Sequence, residues 1–386
     1  MKNKKKILYI INHKSFFVSH RLKIALEAKK QNFEPFLICG TDASDTMKKN
    51  AKKILKKTKI KYKEIASEPN KFNLKEDIQS IYKIYQFIKK FNPNLIHIAS
   101  PKALILGGIA ARFYNKSAII MSVSGFGHLF TEKSYKNKFL SHLFIKILKF
   151  ILSLSKSVII VQNKDDYYFL IKSLKIKKNK IKIVKGSGVN INKFTPNNTV
   201  RQKSIIFPGR LLLNKGILEF YEASKIINNT HKNWHFIIAG SSDYKSPVLI
   251  KKNKLDEILK KTFIKYIGHV DHLKMPNLYS KSSIICLPSY REGMPMALQE
   301  AAASGLPVVT TNVTGCKEAV INNKTGFLVK SKDVKTLVEK LLVLIENNNL
   351  RKKFGNESRK FAVKNFDENL IIKKHIKIYK DLIRHD

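Results

Sequence analysis

The sequence predicts an α/β protein made of two doubly wound parallel sheets. Short apolar runs alternate with segments of helical period, as parallel strands joined by crossover helices require. That alternation runs through the first half of the chain and restarts near residue 204. The length of 386 residues gives two to three domains on its own.

In order, residues 7–11 read as a buried strand and 19–30 as a helix. Residues 36–39 form a second strand, 78–91 a helix, 95–98 a strand and 103–114 a helix. Strands follow at 118–123 and 158–162. The second series has strands at 204–208, 235–239, 263–267, 283–287 and 307–310. Its helices are expected at 216–228, 296–303 and 333–345. The turn-rich stretch Gly186 to Asn198 separates the two series. The expected domains are therefore 1–190 and 191–366, followed by an amphipathic helix within 367–386. Two such domains are expected to face a deep cleft, with ligands at the carboxyl ends of the strands.

Composition limits the function classes. Lysine and arginine number 74 against 28 acidic residues, a net charge of +46. Residues 1–200 hold 41 of the cations and only 11 of the carboxylates. Such a charge attracts polyanions: nucleic acid, anionic membranes or phosphorylated substrates. Eight arginines among so many lysines, with abundant Ile and Asn, also fit simple compositional drift. No nucleic-acid module or aromatic–basic platform is visible, so no nucleic-acid partner is expected. Cys39, Cys286 and Cys316 lack metal or disulfide spacing. No run of about 20 uncharged apolar residues is present, so no spanning helix is expected. The expected address is cytoplasmic.

Two constellations carry chemistry. Gly209, Arg210, Lys215 and Gly216 follow the first strand of the second domain. A guanidinium fork and an ammonium at a strand end suit a diphosphate. Glu292 and Glu300 flank Gly293, Met294 and Pro295, which open a helix. Backbone N–H groups at such an end bind phosphate, and carboxylates accept hydrogen bonds from sugar hydroxyls.

With Gly209-Arg210, Lys215-Gly216, the Glu292/Glu300 pair and the Ser304-Gly305-Leu306-Pro307 run that follows it, the chain resembles glycosyltransferase family 4. These are retaining nucleotide-sugar transferases of GT-B fold, with two Rossmann-like domains. The resemblance implies that Arg210 and Lys215 hold the donor diphosphate and stabilise the leaving nucleotide. It implies that Glu300 binds ribose, and that Glu292, Gly293, Met294 and Pro295 hold the donor sugar and phosphate. Gly268 and His269 end a strand where the family frames the base. Arg210, Lys215 and Glu292 are the expected catalytic residues. The donor, a UDP-sugar and within the subgroup an N-acetylhexosamine, is a substrate; no cofactor and no metal are expected.

The first domain is expected to take the acceptor. Its first loop lacks the family's double glycine and resembles a subgroup in which His20 and Arg21 open the first helix. Lys102, Gly125 and His128 match further positions of that subgroup. No acidic residue is evident at the strand ends of this domain, so a double displacement lacks its nucleophile. The resemblance implies instead that the departing phosphate activates the acceptor on the same face. Lysines recur at helical spacing within 136–157, which reads either as an interfacial helix or as a core helix with one wet stripe, and nine lie within 48–63. Both patches suit an anionic membrane surface, and with it a lipid-diphosphate-linked glycan acceptor on the inner face of the plasma membrane. The rival readings are a GT-B-fold UDP-N-acetylglucosamine epimerase and a basic nucleic-acid-binding protein.

Overall fold

A computed structural model of the chain describes residues 4–42, 45–65, 73–125, 135–154, 156–196, 201–241 and 249–384. The chain divides into two compact units. One comprises Met1–Val184 with Ile371–Asp386, the other Lys185–Leu370. The limits expected at 190 and 366 thus fall at 184 and 370. The reason is a backbone pairing: Val189 N–H donates to Phe366 O at 2.7 Å and Glu368 N–H to Val189 O at 3.0 Å. This ties the turn-rich stretch to the end of the second unit.

The first unit has strands β1 (Lys5–His13), β2 (Phe33–Gly40), β3 (Lys61–Glu64), β4 (Leu95–Ala99), β5 (Ala118–Val123), β6 (Ser157–Val161) and β7 (Ile181–Ile183). They form one parallel sheet in the order β3-β2-β1-β4-β5-β6-β7. Its helices are α1 (Lys14–His20), α2 (Leu22–Lys30), α3 (Asp45–Thr58), α4 (Leu74–Phe91), α5 (Pro101–Tyr114), α6 (Tyr135–Leu152) and α7 (Lys164–Lys172). Ile7 to Ile11 of β1 are buried throughout, as an apolar run at the centre of a parallel sheet must be. Apolar side chains of α4, α5 and α6 cover one face of the sheet, and those of α1 and α2 the other.

Three departures from the expected elements have local causes. The helix after β1 starts at Lys14, not 19, because the His13 ring caps it, accepting from Phe16 N–H at 3.1 Å. It then breaks at Arg21 before α2. Helix α4 begins at Leu74, not 78, because Asn73 caps it, its Oδ1 accepting from Glu76 N–H while its side-chain amide donates to the Glu76 carboxylate. Strand β3 escaped notice because Lys61, Tyr62, Lys63 and Glu64 contain no apolar run. They form a charged edge strand, which resists pairing with other chains.

The second unit has strands β8 (Ser204–Pro208), β9 (His235–Ala239), β10 (Ile264–Gly268), β11 (Ile284–Leu287), β12 (Val308–Thr311) and β13 (Gly326–Val329). They too are parallel, in the order β10-β9-β8-β11-β12-β13. The helices are α8 (Ile217–Thr230), α9 (Lys252–Leu259), α10 (Met275–Lys281), α11 (Met296–Ala303), α12 (Val334–Glu346), α13 (Asn348–Phe366) and α14 (Glu368–Ile383). Most of α14 belongs to the first unit, where Ile371, Ile376, Tyr379 and Ile383 join the core of β1, α1 and α2. The Tyr379 hydroxyl lies 2.6 Å from His97 Nδ1 and 3.2 Å from the Tyr9 hydroxyl, and His97 Nε2 lies 2.7 Å from Ser122 Oγ. This polar network pins the last helix to three strands.

Each sheet reverses its winding once, between β1 and β4 and between β8 and β11. Chains leave the sheet in opposite directions there, and the loops after those strands splay to leave a binding crevice. Two adjacent strand ends, Pro208 and Leu287, lead directly into the two constellations read from the sequence.

Candidate active site

In the second unit, β8 leads through Gly209 and Arg210 into a short 3-10 turn, Leu213–Lys215, and then α8. Arg210 is exposed at the strand end. Gly216 joins turn to helix at φ 76°, and a Cβ there would lie 2.2 Å from Pro288 O. The glycine therefore lets the first constellation press against the strand end that precedes the second. Gly209 has no such constraint; an added Cβ would meet only ordinary contacts, the nearest at 3.5 Å. The close backbone approach at this strand end is made instead by Gly240, whose Cβ would lie 1.8 Å from Gly209 O.

The Lys215 ammonium donates to Oε1 of Glu292. The same oxygen accepts from Ser289 Oγ at 2.9 Å, and Glu292 N–H donates to Thr314 O at 3.0 Å. Tyr290 N–H reaches Asn214 O at 2.9 Å, a second stitch between the two loops. Both charged side chains are largely enclosed, Lys215 at 19% and Glu292 at 12% exposure. The two motifs, 77 residues apart in sequence, are thus joined as one charged pair. Cys316 lies buried nearby. Burial, then the Glu292 charge, pushes its thiol up to about 12, so it is inert rather than nucleophilic.

Helix α11 starts beside Glu292. Its N-cap is Pro295, which supplies no side-chain cap. The first N–H groups of the helix have no partner within it and form a donor cluster for an oxyanion. Met294 is buried, so its side chain serves the core and only its backbone remains for a ligand.

Glu300, one helical turn onward, is enclosed, and its Oε1 accepts from His272 Nε2 at 2.7 Å. His272 follows β10 and was not read from the sequence; a lone histidine in a polar loop carries no signal there. His269, which was, is exposed beyond the end of β10.

In the first unit, His20 stacks on Phe16 at 4.3 Å and 1°, with Nδ1 2.6 Å from Ser19 Oγ. Burial, then the cation of Arg21, lowers its imidazole to about 3, so it is neutral at physiological pH. Arg21 corrects an expectation. It is only 3% exposed, an Nη1 donor bonds His20 O at 3.0 Å, and Tyr9 and Tyr379 lie close enough to act on its charge. It is an interior cation of this unit rather than a surface contact for an acceptor. Lys102 is likewise buried, with Nζ 2.8 Å from Asp77 Oδ1 of α4. Gly125 follows β5 at φ 129°, a conformation that favours glycine. His128 lies outside the described residues.

Carboxylates do stand at strand ends here, contrary to the sequence reading. Asp42 follows β2 and Glu64 ends β3, and both bind the buried ammonium of Lys14, at 3.1 and 2.9 Å. Asp42 also accepts from Ser15 N–H at 2.8 Å. Burial opposes its charge, but Ser15 and Lys14 outweigh burial and hold Asp42 below the usual carboxylate range. It is a locked counter-ion, poorly suited to act as a base. Lys14 carries no signal of this in the sequence; only the fold shows it buried after the central strand β1 between these two carboxylates. Among the described residues, no group of three or more His, Cys, Asp or Glu side chains is placed to hold a metal ion.

Comparison with known proteins identifies the family and the fold. Residues 6–202 match the family model described as glycosyl transferase 4-like, and residues 190–361 that of glycosyl transferases group 1. The chain is 26% identical over 322 residues to the N,N'-diacetylbacillosaminyl-diphospho-undecaprenol alpha-1,3-N-acetylgalactosaminyltransferase of Campylobacter jejuni, covering 80% of this chain and 82% of that one. It is 30% identical over 285 residues to the UDP-Gal:alpha-D-GlcNAc-diphosphoundecaprenol alpha-1,3-galactosyltransferase of Escherichia coli, covering 70% and 71%. Anabaena HepE, solved in complex with UDP and glucose, shares the fold at TM-score 0.76 and 16% identity, over 98% of this chain and 100% of that one.

Proposed function

Because this chain belongs to the family-4 glycosyltransferases, we propose that it moves an N-acetylhexosamine, with retention, from a UDP-sugar to a lipid-diphosphate-linked glycan. The observation that carries the reading is the Lys215–Glu292 pair, set beside the open N-terminus of α11 at the winding reversal of the sheet. Two motifs meet there with one cation, one carboxylate and a set of backbone donors, the groups a nucleotide diphosphate-sugar demands. A lipid-diphosphate acceptor is supported by both relatives described above, which act on diphospho-undecaprenol substrates, and an N-acetylhexosamine by the Campylobacter jejuni enzyme, whereas the Escherichia coli one uses UDP-Gal.

In the proposed reaction the bond between the anomeric carbon and the β-phosphate oxygen breaks. The acceptor oxygen bonds that carbon on the same face, and its proton passes to the departing phosphate. Lys215, Arg210 and the α11 N–H groups stabilise the charge that grows on UDP. Glu292 holds Lys215 in place before the donor arrives and accepts from sugar hydroxyls once it has. No resident metal is needed in this scheme, since these groups carry the leaving-group charge. Asp42 is held as the counter-ion of Lys14, which favours internal return over a covalent intermediate on that carboxylate.

The proposed setting is an anionic membrane surface on its cytoplasmic side. Among the described residues no helix is long and apolar enough to cross a membrane. The first unit nevertheless exposes Leu74, Ile78 and Tyr82 on successive turns of α4, with Phe113 of α5 and Phe150 of α6 on the same side of the sheet. Exposed Lys75, Lys83, Lys146 and Lys149 lie among them. Apolar side chains interleaved with lysines suit shallow insertion among anionic headgroups. Helix α6 also buries Leu148 and Ile151, so the expected interfacial helix and the expected core helix are two faces of one element. The side chain of Lys138 lies outside the described residues.

The test is a panel of UDP-sugars offered with undecaprenyl-diphosphate-linked acceptors. Transfer of an N-acetylhexosamine with release of UDP supports the reading. Isomerisation of UDP-N-acetylglucosamine without acceptor would replace it with the epimerase alternative.

A further inference from the structure

Among the described residues, His272 is the exposed side chain bonded to Glu300. Its imidazole is 61% exposed, whereas the Glu300 side chain is 6% exposed. The imidazole therefore covers the carboxylate on its solvent side. The contact is 2.7 Å from His272 Nε2 to Glu300 Oε1. A carboxylate accepts only, so the bond requires the proton on Nε2 and fixes the tautomer. Two further groups frame the pair. The Phe194 ring lies 5.4 Å from the imidazole, and Tyr279 of α10 is fully buried behind Glu300. Burial, then the neighbouring Glu300 charge, pushes the Tyr279 hydroxyl well above its usual range, so it stays a neutral wall. Glu300 is thus held from outside by one imidazole and backed from inside by a phenol.

We propose that His272 is a positioning residue for the donor: by donating to Glu300 Oε1 it sets the rotamer in which that carboxylate meets the vicinal hydroxyls of the nucleoside. The proposal rests on the reading of Glu300 as the ribose ligand. The physical reason is directional. A cis-diol is recognised by a carboxylate whose plane is fixed, and a glutamate has three rotatable bonds to fix. A charge-assisted bond from a side chain on a different loop removes that freedom before the ligand arrives. His272 then acts through Glu300 and touches neither the phosphates nor the transferred sugar.

The test is calorimetric binding of UDP and of 2′,3′-dideoxy-UDP to the full chain and to four variants. They are His272→Ala, His272→Gln, Glu300→Ala and the double variant His272→Ala with Glu300→Ala. The glutamine amide offers an N–H at the place of Nε2. His272→Ala should weaken UDP roughly tenfold, the scale of one lost charge-assisted hydrogen bond. It should leave dideoxy-UDP unchanged, His272→Gln should recover most of the loss, and the double variant should bind no more weakly than Glu300→Ala. Weakened binding in Glu300→Ala with unchanged binding in His272→Ala would overturn the proposal and leave the ribose reading standing. Equal loss of both ligands in His272→Ala would also overturn it, since the effect would not run through the hydroxyls. Unchanged UDP binding in Glu300→Ala would remove the ribose reading and the proposal with it. His272 is exposed, so its variants should fold; a thermal melt matching wild type checks this.

Discussion

Lys215 and Glu292 form a salt bridge that joins the loop after β8 to the loop after β11. Neither loop contains both charges, so the pair exists only when the two strand ends lie side by side. It makes the unliganded site self-neutral. In the proposed reaction a diphosphate would draw the ammonium away from Glu292, so its affinity should depend on that exchange.

The first expectation follows from the exchange. Lys215→Met should weaken UDP by at least about tenfold and lower kcat by about a hundredfold or more, because the cation serves developing charge as well as binding. Arg210→Ala should weaken UDP by a similar factor and reduce the salt dependence of binding. Equilibrium binding at several ionic strengths, beside steady-state rates, checks both.

Gly216 has a steric role that no other residue can fill. Gly216→Ala forces a Cβ to 2.2 Å from Pro288 O at a positive φ. The loop must shift, at a cost of about 2–4 kcal/mol. The expected outcome is a lower melting temperature together with loss of UDP binding. Gly209→Ala, whose Cβ meets only ordinary contacts, should melt close to wild type.

Stability should fall in mild acid. Burial, then the charge of Arg21, lowers His375 to about 3, far below its unfolded value of about 6.5. Burial drives His97 well below that value too. Between the folded and unfolded values the unfolded chain binds more protons. The stabilisation is therefore complete above about pH 6.5 and is lost as the pH falls toward 3, at up to about 1.4 kcal/mol per pH unit for His375. Denaturation midpoints from pH 7.5 to 4.5 should drop steadily, and His375→Phe should make the drop shallower.

Tyr379 carries the anchorage of the last helix. Tyr379→Phe leaves His97 Nδ1 and the Tyr9 hydroxyl without that partner in a fully buried setting. The expected loss is about 1–3 kcal/mol. Chemical denaturation of the variant measures it.

Much of this was legible in the sequence, for identifiable reasons. Residues 7–11 and 204–208 announce central parallel strands because such strands are buried on both faces and read as unbroken apolar runs. Arg210, Lys215 and Glu292 stood out because they sit at strand ends next to glycines. What was not legible depends on three-dimensional company. Lys14 reads as one more lysine among 66 until Asp42 and Glu64 are seen around it. Arg21 looks like a surface cation and is an interior one, because it stands at the break between α1 and α2 with Tyr9 and Tyr379 close to its charge, company that no composition reveals. Strand β3 and His272 lack any periodic or motif signal, and only pairing with β2 and with Glu300 gives them meaning.

The charge of +46 also takes a sharper form. Lys215 is spent on Glu292, Lys14 on Asp42 and Glu64, and Lys102 on Asp77. Among the described residues, exposed Lys75 and Lys83 of α4 stand close in sequence to Ile78 and Tyr82, and exposed Lys146 and Lys149 of α6 to Phe150. Ile78→Glu with Tyr82→Glu should lower flotation with anionic vesicles while leaving UDP affinity unchanged.

The central claim is that the joined loops of Lys215 and Glu292 carry sugar transfer. Its most direct measurement is the initial rate of product formation on a lipid-diphosphate-linked acceptor by wild type and by Glu292→Ala, at saturating UDP-sugar and equal folded concentration. The account expects a fall of about a hundredfold or more, with an α-linked product from the wild type. Transfer by Glu292→Ala at the wild-type rate, or a β-linked product from an α-linked donor, would contradict it.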